Sequence, residues 1–283
     1  MVGNPAALMR VRTSAVSGLS ATLLRGFRRW LPPLAILLSL ISLWEISMLI
    51  WKPAAYLLPR PHDVFSTWID NISVLSQYGL HTVRTAIVGA AIGGSIAFAS
   101  GAAVAPIPWV AQPCLAYTAM LQATPTIVLT PLAAVWYGGP GTAARTTIVA
   151  VAVFPMMFMS TVRGLSMTPP ELERLMRGYA ASRTKMFLKI RLPAALPSIL
   201  SGLKVVVTTA MIVAIVAELF GGPTDSLGAY MRQEAAFFRS RDVWAGALTA
   251  VIFGLILYLA AALLERLLLH WDPSVRAAST ANN

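Results

Sequence analysis

Residues 169–193 read PPELERLMRGYAASRTKMFLKIRLP, and this stretch decides how the rest of the chain is understood. Pro169-Pro170 pre-sets a helix start, and Glu171 and Glu173 fall in its first turn, where the helix dipole favours negative charge. Ser182 is placed to cap a second helix, Arg183 to Arg191, which Leu192-Pro193 should end. Between them Ala180-Ala181-Ser182 forms an elbow of small residues, slim enough to enter a groove. Arg174, Arg177, Arg183, Lys185, Lys189, Arg191 and Lys204 surround or follow it. The stretch predicts two short helices joined at a cationic elbow.

On either side of this stretch the chain turns apolar. Of its 283 residues 57% are hydrophobic and 12% charged, and the mean hydropathy is +0.70. Soluble domains carry about 25% charged residues, so a soluble enzyme, a disordered chain and a nucleic-acid-binding domain are all excluded. A membrane-crossing helix needs about 20 mostly apolar residues, because lipid offers the backbone no hydrogen-bond partners. Six segments qualify: Pro33–Trp51, Val83–Ala105, Val110–Tyr137, Ala143–Val162, Ile199–Phe220 and Val243–Leu269. The third is interrupted at Gln122-Ala123-Thr124-Pro125. The first is too long for a secretory signal, and no cleavage site follows it. The expected fold is therefore an all-α membrane protein with six spans over residues 30–270. Residues 1–29 form an Arg-rich tail, 271–283 a second tail, and about 163–197 an inner loop.

Charge sets the expected orientation. With a cytoplasmic N-terminus, fifteen of the 22 Lys and Arg residues lie inside and six outside, Arg84 at a span start being the last. That bias places both termini in the cytoplasm and accounts for the net charge of +11 without a nucleic-acid partner. The single cysteine, Cys114, allows no intrachain disulfide, and His62, His81 and His270 are too scattered to suggest a metal. In the second span Gly89, Gly93, Ala97 and Gly101 recur every four residues, a stripe for close helix packing. Residues 52–79 should hold a short interfacial helix with Val64, Trp68, Ile69, Ile72 and Leu75 at helical spacing, and another is expected near Leu227–Phe238.

The inner loop resembles the EAA loop of ABC-importer permeases. Ala181-Ser182-x4-Phe187-x2-Ile190-x-Leu192-Pro193-Ala194-Ala195-Leu196-Pro197 carries that likeness. Ser201-Gly202-Leu203-Lys204 and Ala217-Glu218-Leu219-Phe220-Gly221 extend it. Thr124-Pro125-x5-Pro131-Leu132-x3-Trp136-Tyr137-Gly138, Trp44-Glu45 and Leu57-Leu58-Pro59-Arg60-Pro61 are similar to the nitrate/taurine/sulfonate branch. The likeness covers about residues 40–268. Counted back from Leu192-Pro193, the family's Glu-Ala-Ala falls on Arg174-Leu175-Met176 and its glycine on Ala180. Glu171 or Glu173 would then replace the missing carboxylate, and alanine at 180 suits an elbow whose backbone is not left-handed. Loss of that glutamate is shared with members similar to pyrimidine-precursor or flavin importers.

The resemblance implies a type I importer transmembrane domain of the MetI-like kind. It also implies a cytoplasmic ABC ATPase, an extracytoplasmic solute-binding protein and a second copy of the chain as a homodimer. The chain has no Gly-x4-Gly-Lys-[Ser/Thr] phosphate loop. It is therefore expected to bind no cofactor and not to be an enzyme, with ATP and Mg held by the partner. The elbow Ala180, Ala181 and Ser182 would dock on that partner, with Leu175 and Phe187 as apolar anchors and Arg174, Arg177, Arg183 and Lys185 as cations. Two other classes compete. An ion-gradient-driven secondary transporter needs buried relays, and only Glu45 and Glu218 are offered. An intramembrane enzyme needs a catalytic pair at membrane depth, and every aspartate lies in a loop, at a span end or in the tail. Candidate pathway residues are Gln122, Thr124, Pro125, Glu218 and Gly221. The broken third span contacts solute or is a packing kink; Glu218 lines the pathway or pairs with an arginine such as Arg84.

Overall fold

A computed structural model describes residues 31–54, 56–123, 126–221 and 224–269, all helix and connecting turn, with no strand among them. Both expected tails and His270 lie outside this range. The described chain falls into two compact units. The first holds residues 31–54 with Arg60–His62, and the second holds 56–59 and Asp63 onward. In the first unit α1 (Leu31–Trp51) is long and apolar enough to cross a membrane. Most of its large side chains are exposed, Ile50 and Trp51 most of all. Within this unit His62 Nδ1 lies 2.9 Å from Glu45 Oε1, which gives Glu45 a local partner.

Helix α2 (Pro61–Asp70), which enters the second unit at Asp63, leads into α3 (Ile72–Val104), which is 33 residues long. The apolar positions expected on a single interfacial helix are therefore divided. Val64 and Trp68 lie on α2, while Ile72 and Leu75 open α3. Leu75 is fully buried with Leu227 and Ala245, and that small core draws the start of α3 out of the loop and into the bundle.

The expected third span is two helices, α4 (Pro108–Gln122) and α5 (Thr126–Trp136), each too short to cross alone. The chain breaks where the sequence places Gln122-Ala123-Thr124-Pro125. Thr124 and Pro125 themselves lie outside the described residues. After α5 come α6 (Thr142–Ser166) and α7 (Pro170–Gly178). Then α8 (Arg183–Met186) passes through one π-helical turn, Phe187–Arg191, into α9 (Leu192–Leu219). Last are α10 (Leu227–Ala236) and α11 (Ser240–Leu268).

Leu192-Pro193 does not end the second loop helix, contrary to the sequence reading. The Leu192 N–H reaches back to the Phe187 carbonyl in the wide turn, and Pro193, with no N–H, sits where α9 begins. Inside a continuous helix a proline leaves one carbonyl of the preceding turn without a donor and crowds that turn, and the wide turn just before Pro193 gives its ring room. Helix therefore continues from Arg183 to Leu219.

Helix α6 is central, packed against α3 on one side and α9 on the other. Its buried face includes Ile148, Val149, Val153, Met157, Phe158 and Val162. The small-residue stripe of α3 faces it. A Cβ on Gly89 would meet Val149 at 2.6 Å, and one on Gly93 would run into the Ala150 carbonyl oxygen. In lipid, helices have little hydrophobic drive to associate, so such backbone approach is a main source of packing energy.

Gly93→Ala should therefore destabilise the bundle by roughly 1–3 kcal/mol, since the clash is with backbone and has no flexible group to yield. Gly94 has nothing within 4 Å of an added Cβ. Gly94→Ala should be neutral or stabilising by up to about 1 kcal/mol. Thermal unfolding of both variants in the same lipid or detergent checks the contrast.

Candidate functional site

Sequence-predicted residues gather at the two ends of α6, which its 25 residues hold roughly 37 Å apart at about 1.5 Å per residue. At the loop end, α6 leads through Thr168 and Pro169 into α7. Glu171 and Glu173 stand in the first turn of α7, as expected. The helix ends in a left-handed residue, Ala180, at φ +51°. Ala181 N–H then reaches back to the Met176 carbonyl at 3.1 Å, closing a Schellman-type turn. The elbow is thus left-handed, so the condition under which the sequence reading found alanine suitable at 180 is not met. The geometry of the cap demands this handedness, and a glycine would adopt it without the Cβ clash that alanine carries.

Ser182 begins the next helix as expected, its Oγ accepting from Lys185 N–H at 3.3 Å. Glu173 accepts from Arg191, with Oε1 2.8 Å from Nη2 and 2.9 Å from Nε. That bond staples α7 to the π-helical turn. Glu173 therefore supplies a carboxylate one residue before Arg174, where the Glu-Ala-Ala pattern would begin. Glu171, Arg174, Ser182, Arg183, Lys185 and Lys189 are exposed, and none of these charged side chains forms an ion pair among the described residues. Arg177 lies on α7.

The apolar side chains divide. Leu175 is exposed, together with Leu172, Tyr179 and Leu188, which sequence reasoning did not select. Phe187 and Leu192 are half-buried against the main core of the bundle. Phe187 was expected to anchor a partner; its ring is already engaged within the chain, because the π-helical turn carries it onto the helices behind.

At the far end Glu218 is fully buried, and its partner is Arg145 of α6, not Arg84. Arg145 Nη1 donates to Oε1 at 2.9 Å, and Arg145 is itself 5% exposed. Thr82 Oγ1 of α3 and the Gly228 N–H of α10 donate to Oε2 at 2.8 and 3.1 Å. The Leu227 N–H completes the set on Thr82 Oγ1 at 3.1 Å. One carboxylate thus joins α3, α6, α9 and α10. Gly228 is needed for this contact, since a Cβ there would lie 2.5 Å from Glu218 Cβ. Sequence reasoning counted Arg145 as an outer-loop cation. Its place in the first turn of an apolar segment hid a burial that only packing creates.

Gly221 follows α9 at φ +152°, a conformation that suits glycine, with Pro140 Cβ 3.1 Å from where a Cβ would be. Nearby, burial and then the Asp242 carboxylate hold the Tyr230 phenol above its ordinary range. It remains a hydroxyl donor to Asp242 Oδ1 at 3.2 Å.

Of the candidate pathway residues, Gln122 lines an apolar cleft of about 510 Å³ between α3, α4, α5, α6 and α9. Thr146, Thr147 and Thr209 are its other polar side chains. Glu218 and Gly221 line neither this cleft nor the smaller cavity beside it.

Two outcomes are expected. Ala180→Gly should stabilise the elbow by up to about 1 kcal/mol, relief of left-handed strain being partly offset by greater unfolded-state freedom. Slower hydrogen exchange at the Ala181 amide reads it. Glu218→Gln should cost about 3–5 kcal/mol, because it leaves Arg145 buried without its counter-charge. The double variant Glu218→Gln with Arg145→Met should recover part of that loss in thermal unfolding.

Comparison with known proteins agrees with this architecture. Residues 95–271 match the family model described as "Binding-protein-dependent transport system inner membrane component". The chain is 28% identical to the riboflavin transport system permease protein RibX of Chloroflexus aurantiacus, over 84% of this chain and 89% of that one. It is 26% identical to the putative aliphatic sulfonates transport permease protein SsuC of Escherichia coli, over 87% and 95%. Its fold is shared with a subunit in inward-facing structures of the MetNI methionine ABC transporter, at a TM-score of 0.60 and 17% identity, covering 70% of this chain and 98% of that one. The ion-gradient and intramembrane-enzyme readings give way to a transport subunit. With the family model matching more than half its length, the chain belongs to the binding-protein-dependent transport system inner membrane components and is a membrane-spanning permease subunit of an ABC importer.

Proposed function

We propose that this permease carries a small solute of sulfonate, nitrate, taurine or pyrimidine-precursor type across the inner membrane, driven by a separate cytoplasmic ABC ATPase that grips the Ala180–Ser182 elbow. Relatives named for aliphatic sulfonates and riboflavin support a small organic solute. ATP and Mg are held by the ATPase. Two copies of the chain form the pathway, with one ATPase under each. Both termini lie in the cytoplasm, and an extracytoplasmic binding protein delivers solute at the far end, near α10.

The observation that carries this reading is the join between elbow and span. Ser182 caps a helix that runs on from Arg183 to Leu219, 37 residues or roughly 55 Å at about 1.5 Å per residue. The cations Arg174, Arg183 and Lys185, which form no ion pair among the described residues, present a docking face to an acidic groove together with exposed Leu175. Glu173–Arg191 fixes the elbow to the start of that helix. Movement of the ATPase would then be felt at Glu218 as rigid-body motion between two packed states.

The test is assembly. The double variant Arg183→Glu with Lys185→Glu should lower co-purification with the ATPase by roughly tenfold or more, the effect of reversing charges at an interface, and should abolish ATP-dependent uptake. It should leave thermal unfolding of the isolated permease unchanged. Wild-type assembly and uptake in this variant would remove the proposed coupling.

A further inference from the structure

The far end of the bundle contains a feature that coupling does not use. Beside the Arg145–Glu218 pair lies a cavity of about 280 Å³, lined by His81, Arg84 and Thr85 of α3, Thr142, Arg145 and Thr146 of α6, and Asp225. Three basic side chains and three hydroxyls meet here. Arg84 forms no ion pair among the described residues. Arg145 spends Nη1 on Glu218 and Nη2 on Thr142 Oγ1, but its buried Nε–H has no acceptor. A buried donor without an acceptor is costly, and folded proteins seldom leave one.

The cavity also has a neighbour. Thr146 lines both it and the 510 Å³ cleft. The cleft is walled mainly by Ile92, Ile96, Phe154 and Val213, with no ionisable side chain in its lining. A chamber that offers Arg84 and the Nε–H of Arg145 therefore adjoins an apolar one at a shared threonine. Each half asks for a different part of one ligand: the first for negative charge, the second for hydrocarbon or an aromatic ring.

We propose that the smaller cavity is an anion-binding site, in which Arg84 and Arg145 hold the charged head of an organic anion while its apolar body occupies the adjoining cleft past Thr146. This rests on the reading of the chain as a solute-conducting subunit and narrows its solute to carboxylates or sulfonates with an apolar body. Asp225 has its own place in the site. Its Oδ2 lies 3.7 Å from His81 Nδ1, and it is half exposed on the turn before α10. It is the carboxylate in the chamber's lining, and its negative charge opposes that of an anionic ligand.

The test uses the full-length permease in phosphatidylcholine nanodiscs, with benzenesulfonate and benzoate as probes and benzyl alcohol, benzylammonium and inorganic sulfate as comparisons. Saturable binding by calorimetry is expected for both aromatic anions. It should be roughly tenfold weaker for benzyl alcohol and for sulfate, each of which satisfies one chamber only. Benzylammonium should not bind. Arg84→Gln should weaken the anions roughly tenfold and leave benzyl alcohol unchanged. Asp225→Asn should tighten the anions, and Thr209→Leu, which fills the cleft, should weaken benzenesulfonate but not sulfate.

Arg84 and Asp225 lie outside the Glu218 network, so thermal unfolding of their variants should match wild type and separate a lost site from a lost fold. Equal binding of benzylammonium and benzenesulfonate, no saturable binding, or an Arg84→Gln variant that binds normally would overturn the proposal. So would loss of benzenesulfonate binding when phosphatidylglycerol replaces phosphatidylcholine, which assigns the site to a lipid headgroup. The measurement needs no ATPase, so its failure is distinct from failure of the coupling test.

Discussion

A carboxylate removed from solvent in an apolar bundle must be answered on every side, and Glu218 is answered by four helices. Arg145 supplies the counter-charge, Thr82 a hydroxyl and Gly228 a backbone N–H. Burying two charges is expensive, and a hydrophobic substitute of the same shape often serves stability as well. What the pair adds is definition. It fixes the far ends of α3, α6 and α9 in register and holds α10 across them. The cleft and the cationic cavity beside it exist because these helix ends are held in place there.

The other end of the bundle is built on a different principle. Among the described side chains of residues 171–191 none is fully buried, and the shape comes from backbone geometry. A left-handed alanine ends α7, a serine caps α8, and one wide turn carries the helix into the span without a break. An insertion of this kind changes the helical phase, so side chains before and after it face different surroundings. Phe187 meets the core while Leu175 and Leu188 stay exposed. A cationic outer face and an apolar inner one are thus produced within a short stretch.

Individual residues show how far the sequence could be read. The spacing of Gly89, Gly93, Ala97 and Gly101 announced a packing stripe, and the stripe faces α6 because a period of four residues can only mark one side of a helix. Ser182 was legible as a cap, since capping depends on the next three residues alone. The break after Gln122 was legible from its composition. Arg145 was not: a lone arginine near the start of an apolar segment looks like a loop cation until a carboxylate 73 residues away is placed beside it. The handedness of Ala180 was not legible either, because it follows from how the end of α7 must turn to bring Arg191 onto Glu173.

Taken alone, the amino-acid order determined the class of molecule. Apolar runs long enough to cross lipid, interrupted by one cationic helical elbow, allow little besides a helical membrane subunit, since unpaired backbone is not tolerated in hydrocarbon. Only the tertiary structure decided which charges are neutralised inside and which stay free, and where two cavities meet. Those outcomes depend on distances between residues far apart in the chain, and no local pattern of side chains encodes them.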